Sequence, residues 1–90
     1  MTRLEIVKYR NGIFYSDDVT DEVVQRSINA CEEMILKAGV DEKIVQTSPL
    51  VDEACILWYK MADSTSPSDM QNHPVMISLI CQLRGGNDNA

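Results

Sequence analysis

The chain has 90 residues, enough for one domain with a single core, and a hydrophobic content of 44% that excludes an intrinsically disordered protein. Fourteen acidic residues against eight basic ones give a net charge of −6, which excludes a protein that grips nucleic acid through Lys and Arg. No apolar run approaches the ~18 residues of a membrane span, and the first residues lack an apolar signal sequence. We therefore expect no membrane partner and a chain that stays where it is made.

The first 19 residues are compatible with two structures. Residues 4–9 and 13–15 have strand propensity and flank Asn11-Gly12, a pair typical of hairpin turns. The same residues could form one short helix that is broken at Asn11-Gly12. A lone two-stranded hairpin is only marginally stable unless it packs on other elements. The sequence therefore leaves strand and helix open for this N-terminal segment.

Residues 20–38 are predicted to form the longest helix. Thr20 is the expected N-cap, because its hydroxyl can accept a hydrogen bond from an otherwise unpaired amide. Gly39 supplies the left-handed residue that ends the helix. Apolar residues recur every three or four positions, as in a helix with one buried face: Val24, Ile28, Cys31, Ile35 and Ala38. Residues 40–47 then form a connector with room for a helical turn.

Two further predicted helices start at prolines. Ser48-Pro49 pairs an N-cap with the residue that the first helical position tolerates best, which predicts a helix over residues 49–62. Its apolar side is broad, so we expect this helix to be central and covered on more than one side. Pro74 starts a helix over residues 74–84. Gly85-Gly86 ends it, and residues 85–90 are expected to form a flexible tail.

Residues 63–73 are predicted to form a loop, because their Ser, Thr, Asp, Asn and Pro residues compete with helical backbone hydrogen bonding. Met70 is the only large apolar residue in this segment. A loop of this length in a small domain is either a docking arm or a mobile connection. Taken together, the elements predict a single all-α domain over residues 1–90, a small bundle of three to four helices.

Residue types that carry chemistry are sparse in this sequence. It has no Gly-rich phosphate loop and no paired metal-binding histidines. Its lone His73 has no evident acid–base partner, which favours a loop or capping role. Cys31, Cys55 and Cys81 each fall in a predicted helix near apolar residues, so we expect three reduced core thiols. We therefore expect no enzymatic activity, no metal site and no cofactor.

Four acidic residues cluster where the longest helix begins: Asp17, Asp18, Asp21 and Glu22. The cluster lacks the alternating oxygen ligands and the glycine of a calcium-binding loop. Acidic side chains are favoured near the positive end of a helix dipole. The cluster is therefore expected to be a solvated, negatively charged surface.

Contacts with partner proteins are expected at residues that the core does not need. Trp58 and Tyr59 are adjacent on a predicted helix, so they point in different directions. We assign Trp58 to the core and Tyr59 to the outer surface, because partner surfaces are enriched in such aromatic residues. With the 63–73 loop and the end of the last helix, the candidate interface residues are Tyr59, Met70, Gln71, Asn72, His73 and Arg84.

The order of three features resembles the head-tail connector family of tailed phages. An acidic run, residues 16–22, precedes the long helix that starts Val23-Val24-Gln25-Arg26. A helix then opens with Ser48-Pro49-Leu50-Val51, and the chain closes with the segment 73–84, which ends in Gln82-Leu83-Arg84. The resemblance spans most of residues 16–84. It departs from the family at Met61-Ala62-Asp63, where a basic, aromatic-rich ending is usual.

This resemblance implies a structural virion protein that joins the portal vertex of the capsid to the tail. Its expected partners are the portal protein, neighbouring head-tail joining proteins and further copies of itself in a ring that matches the dodecameric portal. DNA would pass through the ring without being held, because a negative lumen repels phosphates. The expected location is the head-tail interface of the virion, after assembly in the host cytoplasm. The alternative is an intracellular helical protein-interaction or regulatory domain, which a phage could also encode.

Overall fold

Six helices make up the described part of the chain, residues 1–62 and 64–85 of the computed structural model. They are α1 (Arg3–Arg10), α2 (Asp18–Lys37), α3 (Glu42–Thr47), α4 (Pro49–Met61), α5 (Pro67–Gln71) and α6 (Pro74–Gly85). No strand occurs in these two ranges, so the predicted all-α bundle is confirmed. Residues 86–90, most of the predicted flexible tail, lie outside the described residues.

The N-terminal segment forms helix α1, so the hairpin alternative is wrong. A capping box at the helix start provides the reason. The side chain of Thr2 accepts a hydrogen bond from the backbone N–H of Glu5, and the carboxylate of Glu5 accepts one from the backbone N–H of Thr2 at 2.9 Å. The chain turns after the helix at Gly12, whose φ of 79° suits glycine.

Helix α2 begins earlier than the sequence pattern predicts. Its N-cap is Asp17 and not Thr20: the Asp17 carboxylate accepts hydrogen bonds from the backbone N–H and the hydroxyl of Thr20, at 3.0 and 2.9 Å. No residue of the first turn is fully buried, so the apolar residues that recur every three or four positions do not extend into it. The other end agrees with the prediction, because Gly39 has a φ of 98° just after the helix.

The predicted 63–73 loop contains helix α5, so the assignment of this segment as a loop is wrong. Ser66 is its N-cap and accepts a hydrogen bond from the backbone N–H of Asp69 at 3.2 Å. Met70 is only 3% exposed and joins the core. Because it is buried, Met70 is not the tip of an exposed docking arm. The connector before α4 also carries a short helix, α3.

The core lies mainly between α2 and α4, the central pair of helices. The apolar residues predicted for the buried face of α2 are buried there, except for Ala38, which is half-buried. Helix α4 supplies five buried residues, including Trp58, so its predicted central position is confirmed. Helix α1 packs across both central helices, while α6 packs on α4 and α5. Among the described residues, no helix is long and apolar enough to cross a membrane.

Candidate functional site

A groove of about 840 Å³ opens beside the central helix pair. Its walls come from the connection between α1 and α2, from the first half of α2, and from the α4–α5 region. We call it the α2–α4 groove. Its apolar and aromatic lining includes Ile13, Tyr15, Val19, Val23, Trp58, Tyr59 and Met70. The groove therefore combines residues that are far apart in the sequence.

The α2 wall of this groove carries large apolar side chains that no other described element covers. Val19 is 70% exposed and Val23 is 53% exposed, one helical turn apart. Tyr15 and Phe14, in the preceding connection, are also exposed. The Phe14 ring packs edge-on against the ring of Tyr9, with 5.2 Å between the two ring centroids. An uncovered apolar surface of this kind marks an interaction site more often than an ordinary monomer surface.

The groove unites two of the six predicted interface residues. Tyr59 is half-buried and lines the wall, and Met70 lies at the buried side. Gln71 and Asn72 are exposed and lie outside the groove lining. His73 is half-buried, and its Nδ1 accepts a hydrogen bond from the backbone N–H of Val75 at 3.2 Å, as expected for a capping residue.

Arg84, the sixth predicted interface residue, lies on α6, beside Gly39 and away from the groove. It is exposed, and it is the only charged residue of that helix. Ile77 and Cys81 precede it by seven and three positions, so the three side chains share one side of α6. Ile77 is 46% exposed and Cys81 is exposed. We call Ile77, Cys81 and Arg84 the α6 stripe.

The acidic cluster at the start of α2 has divided roles, so its description as a solvated surface is only partly correct. Asp17 is exposed, and hydrogen bonds from the backbone and side chain of Thr20 lower the pKa of its carboxyl group. Glu22 pairs with Arg26 on the same helix at 2.9 Å, and Asp18 is exposed. Asp21 instead pairs with the buried Lys8 of α1 at 2.6 Å. Within the described ranges, no group of three or more acidic, His or Cys residues could hold a metal ion.

Helix α1 is held by ion pairs that the sequence did not reveal. Arg3 pairs with Glu32 of α2 and with Asp52 of α4, the latter at 2.6 Å. Burial alone would lower the pKa of the Arg3 guanidinium, but the hydrogen bonds to Asp52 and Glu32 outweigh it and raise the pKa. Arg10 pairs with Glu53 at 3.0 Å. All three basic residues of α1 therefore face acidic partners on the central helices.

Two of the three cysteines lie in the core, as predicted. Cys31 of α2 and Cys55 of α4 are fully buried at the contact of the two central helices. A hydrogen bond with Cys55, together with burial, raises the pKa of the Cys31 thiol. Cys81 is exposed, so its assignment to the core is wrong. The helix α6 that carries it packs on only one side, and Cys81 points to the other.

Comparison with known proteins adds no relative to this picture. A scan against protein-family models, a search of curated proteins and a search of solved structures found no match.

Proposed function

We propose that this chain is a structural subunit of the head-tail junction of a tailed phage, which docks on the portal ring and forms part of the DNA passage. The observation that carries the proposal is the large apolar surface left uncovered on so small a bundle. It accompanies the sequence resemblance over residues 16–84. A subunit of this kind binds neighbours and catalyses nothing.

The uncovered apolar residues lie on separate elements. One set borders the α2–α4 groove and includes Val19 and Val23, while α6 exposes Val75 and Ile77. A subunit within a ring contacts one neighbour on each side and therefore needs two different contact surfaces. Two separate sets of exposed apolar residues are what such a subunit would need, and they support the proposal.

The charge of the chain also fits a protein that DNA passes without binding to it. The net charge is −6, and Asp17 and Asp18 are exposed at the start of α2. Acidic side chains that face a channel repel the phosphates of the genome, so that DNA can slide. A basic lining would hold the DNA instead.

In vitro head completion tests this proposal. A phage mutant that lacks the gene should accumulate DNA-filled heads and separate tails in its host. Addition of the purified chain should then produce tailed, infectious particles, counted by electron microscopy and plaque assay. The heat-unfolded chain serves as the control. Normal tailed particles in the absence of the chain would refute the proposal.

A second candidate function is regulation by binding of a host protein. The α2–α4 groove has the apolar lining that grooves for amphipathic helices share. A regulator of this kind acts in the infected cell and has no place in the finished particle. Detection of the chain in purified virions therefore separates the two functions.

A further inference from the structure

Among the described residues, helix α6 is covered on one side only, and its outer side exposes apolar residues beside the polar Ser78 and Gln82. Met76 and Leu83 are buried against the rest of the bundle, at 0% and 3% exposure. On the outer side, Ile77 is 46% exposed and Cys81 is exposed as well. Exposed apolar side chains that adjoin polar residues are typical of a surface that contacts another protein. The outer side of α6 therefore lacks a covering surface within the described bundle.

The α2–α4 groove has the length to provide that cover in another copy. Helix α6 has 12 residues and is about 18 Å long at the helical rise of about 1.5 Å per residue. The α2 wall runs from Val19 to Ala30, which spans about 17 Å by the same rise. The helix and the groove wall match in length, and both present apolar side chains.

We propose that α6 of one copy packs into the α2–α4 groove of a second copy, with Ile77 and Cys81 against Val19 and Val23. This contact rests on the proposed function, since it is the contact between adjacent subunits of the ring. The occupant is another molecule of the same chain, and the outer side of its α6 is the surface that fits.

The charges of the two surfaces define the direction of the inserted helix. Arg84, at the last turn of α6, is the only charge on that helix. Asp17 and Asp18 lie at the start of α2, next to the groove residue Val19. An antiparallel arrangement brings Arg84 to these acids. It also places the negative end of the α6 dipole beside the positive end of α2.

The groove has two basic residues that this arrangement must accommodate. Arg26 already pairs with Glu22 at 2.9 Å, so its charge is offset within its own helix. Lys60 is exposed on α4. Its flexible side chain can keep the ammonium group in water while its methylene groups cover apolar surface. Neither residue blocks α6, because the antiparallel arrangement places Arg84, the one charge of that helix, at the Asp17 end of the groove.

The contact joins two different surfaces, so it is heterologous. Each copy donates its α6 to one neighbour and receives the α6 of another. Such contacts close into a ring where the rotation between copies permits it and otherwise continue as an open chain. The interface is small, so it needs high concentration or the portal as a template.

Sedimentation velocity on the purified chain and two charge variants tests this contact. Val23→Asp damages the groove and Ile77→Asp damages the α6 stripe. Each should weaken self-association by at least about 30-fold, the loss expected at the centre of an interface. Gln25→Asp places the same charge on the opposite side of α2 and should associate like the unchanged chain. Circular dichroism confirms that each variant is folded, and Val19→Asp replaces Val23→Asp if the latter unfolds.

Mixing the two variants gives the decisive result. The Val23→Asp copy keeps an intact α6, and the Ile77→Asp copy keeps an intact groove. An equimolar mixture should therefore form a heterodimer and nothing larger, while each variant alone stays monomeric. Folded variants that stay monomeric in the mixture would overturn the inference, as would variants that associate like the unchanged chain. An unchanged chain that stays monomeric at millimolar concentration would also overturn it, whereas the proposed function is judged separately by head completion.

Discussion

Replacement of Met70 by alanine should destabilise the chain, because Met70 is a core residue. Its side chain is 3% exposed and belongs to the same buried cluster as the central helices. Truncation of a buried methionine to alanine costs about 2–5 kcal/mol. Helix α5 has only five residues and packs mainly on α6, so the site can partly collapse. We therefore expect a loss of about 2–3 kcal/mol, toward the lower end of that range.

A loss of that size is easily measured. A chain of 90 residues has a total stability of roughly 5–13 kcal/mol, so the substitution removes a large share. The urea midpoint, followed by far-ultraviolet circular dichroism, should fall by about 1–2 M. Gln71→Ala is the matched control, because Gln71 is the next residue of the same helix and is exposed. Its effect should stay within about 0.5 kcal/mol.

Met70→Asp distinguishes the core residue from a docking arm still more sharply. A carboxylate at this buried position has no described basic partner and should unfold the chain or leave it far less stable than Met70→Ala. An exposed arm would tolerate the change and keep its full stability. If both Met70 variants have urea midpoints within about 0.3 M of the unchanged chain, the assignment of Met70 to the core is refuted.

Four further predictions follow from the contacts described above. Arg3→Met should lower the free energy of urea unfolding by about 1–2 kcal/mol, because it leaves two half-buried carboxylates unpaired. The control Arg10→Met, at a half-exposed ion pair, should lower it by less than about 0.5 kcal/mol. Equal losses would contradict the role of Arg3. The pKa of Asp17 is lowered in the folded chain, so its stabilising effect is complete above the unfolded value of about 4 and is lost as the pH falls through the lowered pKa. Thermal unfolding from pH 7 to pH 2 should then show a smaller acid-induced loss for Asp17→Asn than for the unchanged chain. Native alkylation followed by mass spectrometry should add one group, at Cys81, and reach the two core thiols only after unfolding; a disulfide or a second native adduct would contradict this. Mobility-shift assays at physiological salt should show at most weak binding of duplex DNA, because the net charge of the chain is −6. A tight, salt-sensitive shift would contradict the proposal that DNA passes this protein without being bound.

Much of the fold could be predicted because local signals and burial agree in the longest helices. The stripe of α2 and the Ser48-Pro49 start of α4 are each visible in the sequence and confirmed by the structure. The sequence pattern predicts the N-cap of α2 three residues too late, because the first turn carries no buried residue that would extend the apolar pattern. The cap at Asp17 accepts from the backbone N–H of Thr20 itself, earlier in the helix than the amides that a Thr20 cap would reach.

Two segments could not be predicted with the same success, for different reasons. Ser66-Pro67 is the same start signal as Ser48-Pro49, but α5 has only five residues and depends on the burial of Met70 in the core. The surrounding polar composition therefore favoured a loop. The N-terminal segment has strand propensity, but the capping box at Thr2 stabilises the helical conformation.

The candidate site was less predictable than the fold because its parts are distant in sequence. Tyr59 could be identified as an outward aromatic residue from its neighbour Trp58. Its position beside Val19 and Val23 depends on how α2 and α4 pack, which one sequence does not specify. The ion pairs of Arg3 join residues 29 and 49 positions apart and are equally invisible to periodicity. Local patterns indicate which residues are exposed, and tertiary packing determines which of them meet.

Quantitative mass spectrometry of purified virions tests the proposed function most directly. A head-tail connector stays in the finished particle and matches the portal ring that it joins. The chain should therefore be present at about one copy per portal subunit, measured against isotope-labelled peptides of both proteins. Virions that contain the portal protein but none of this chain would contradict the proposal.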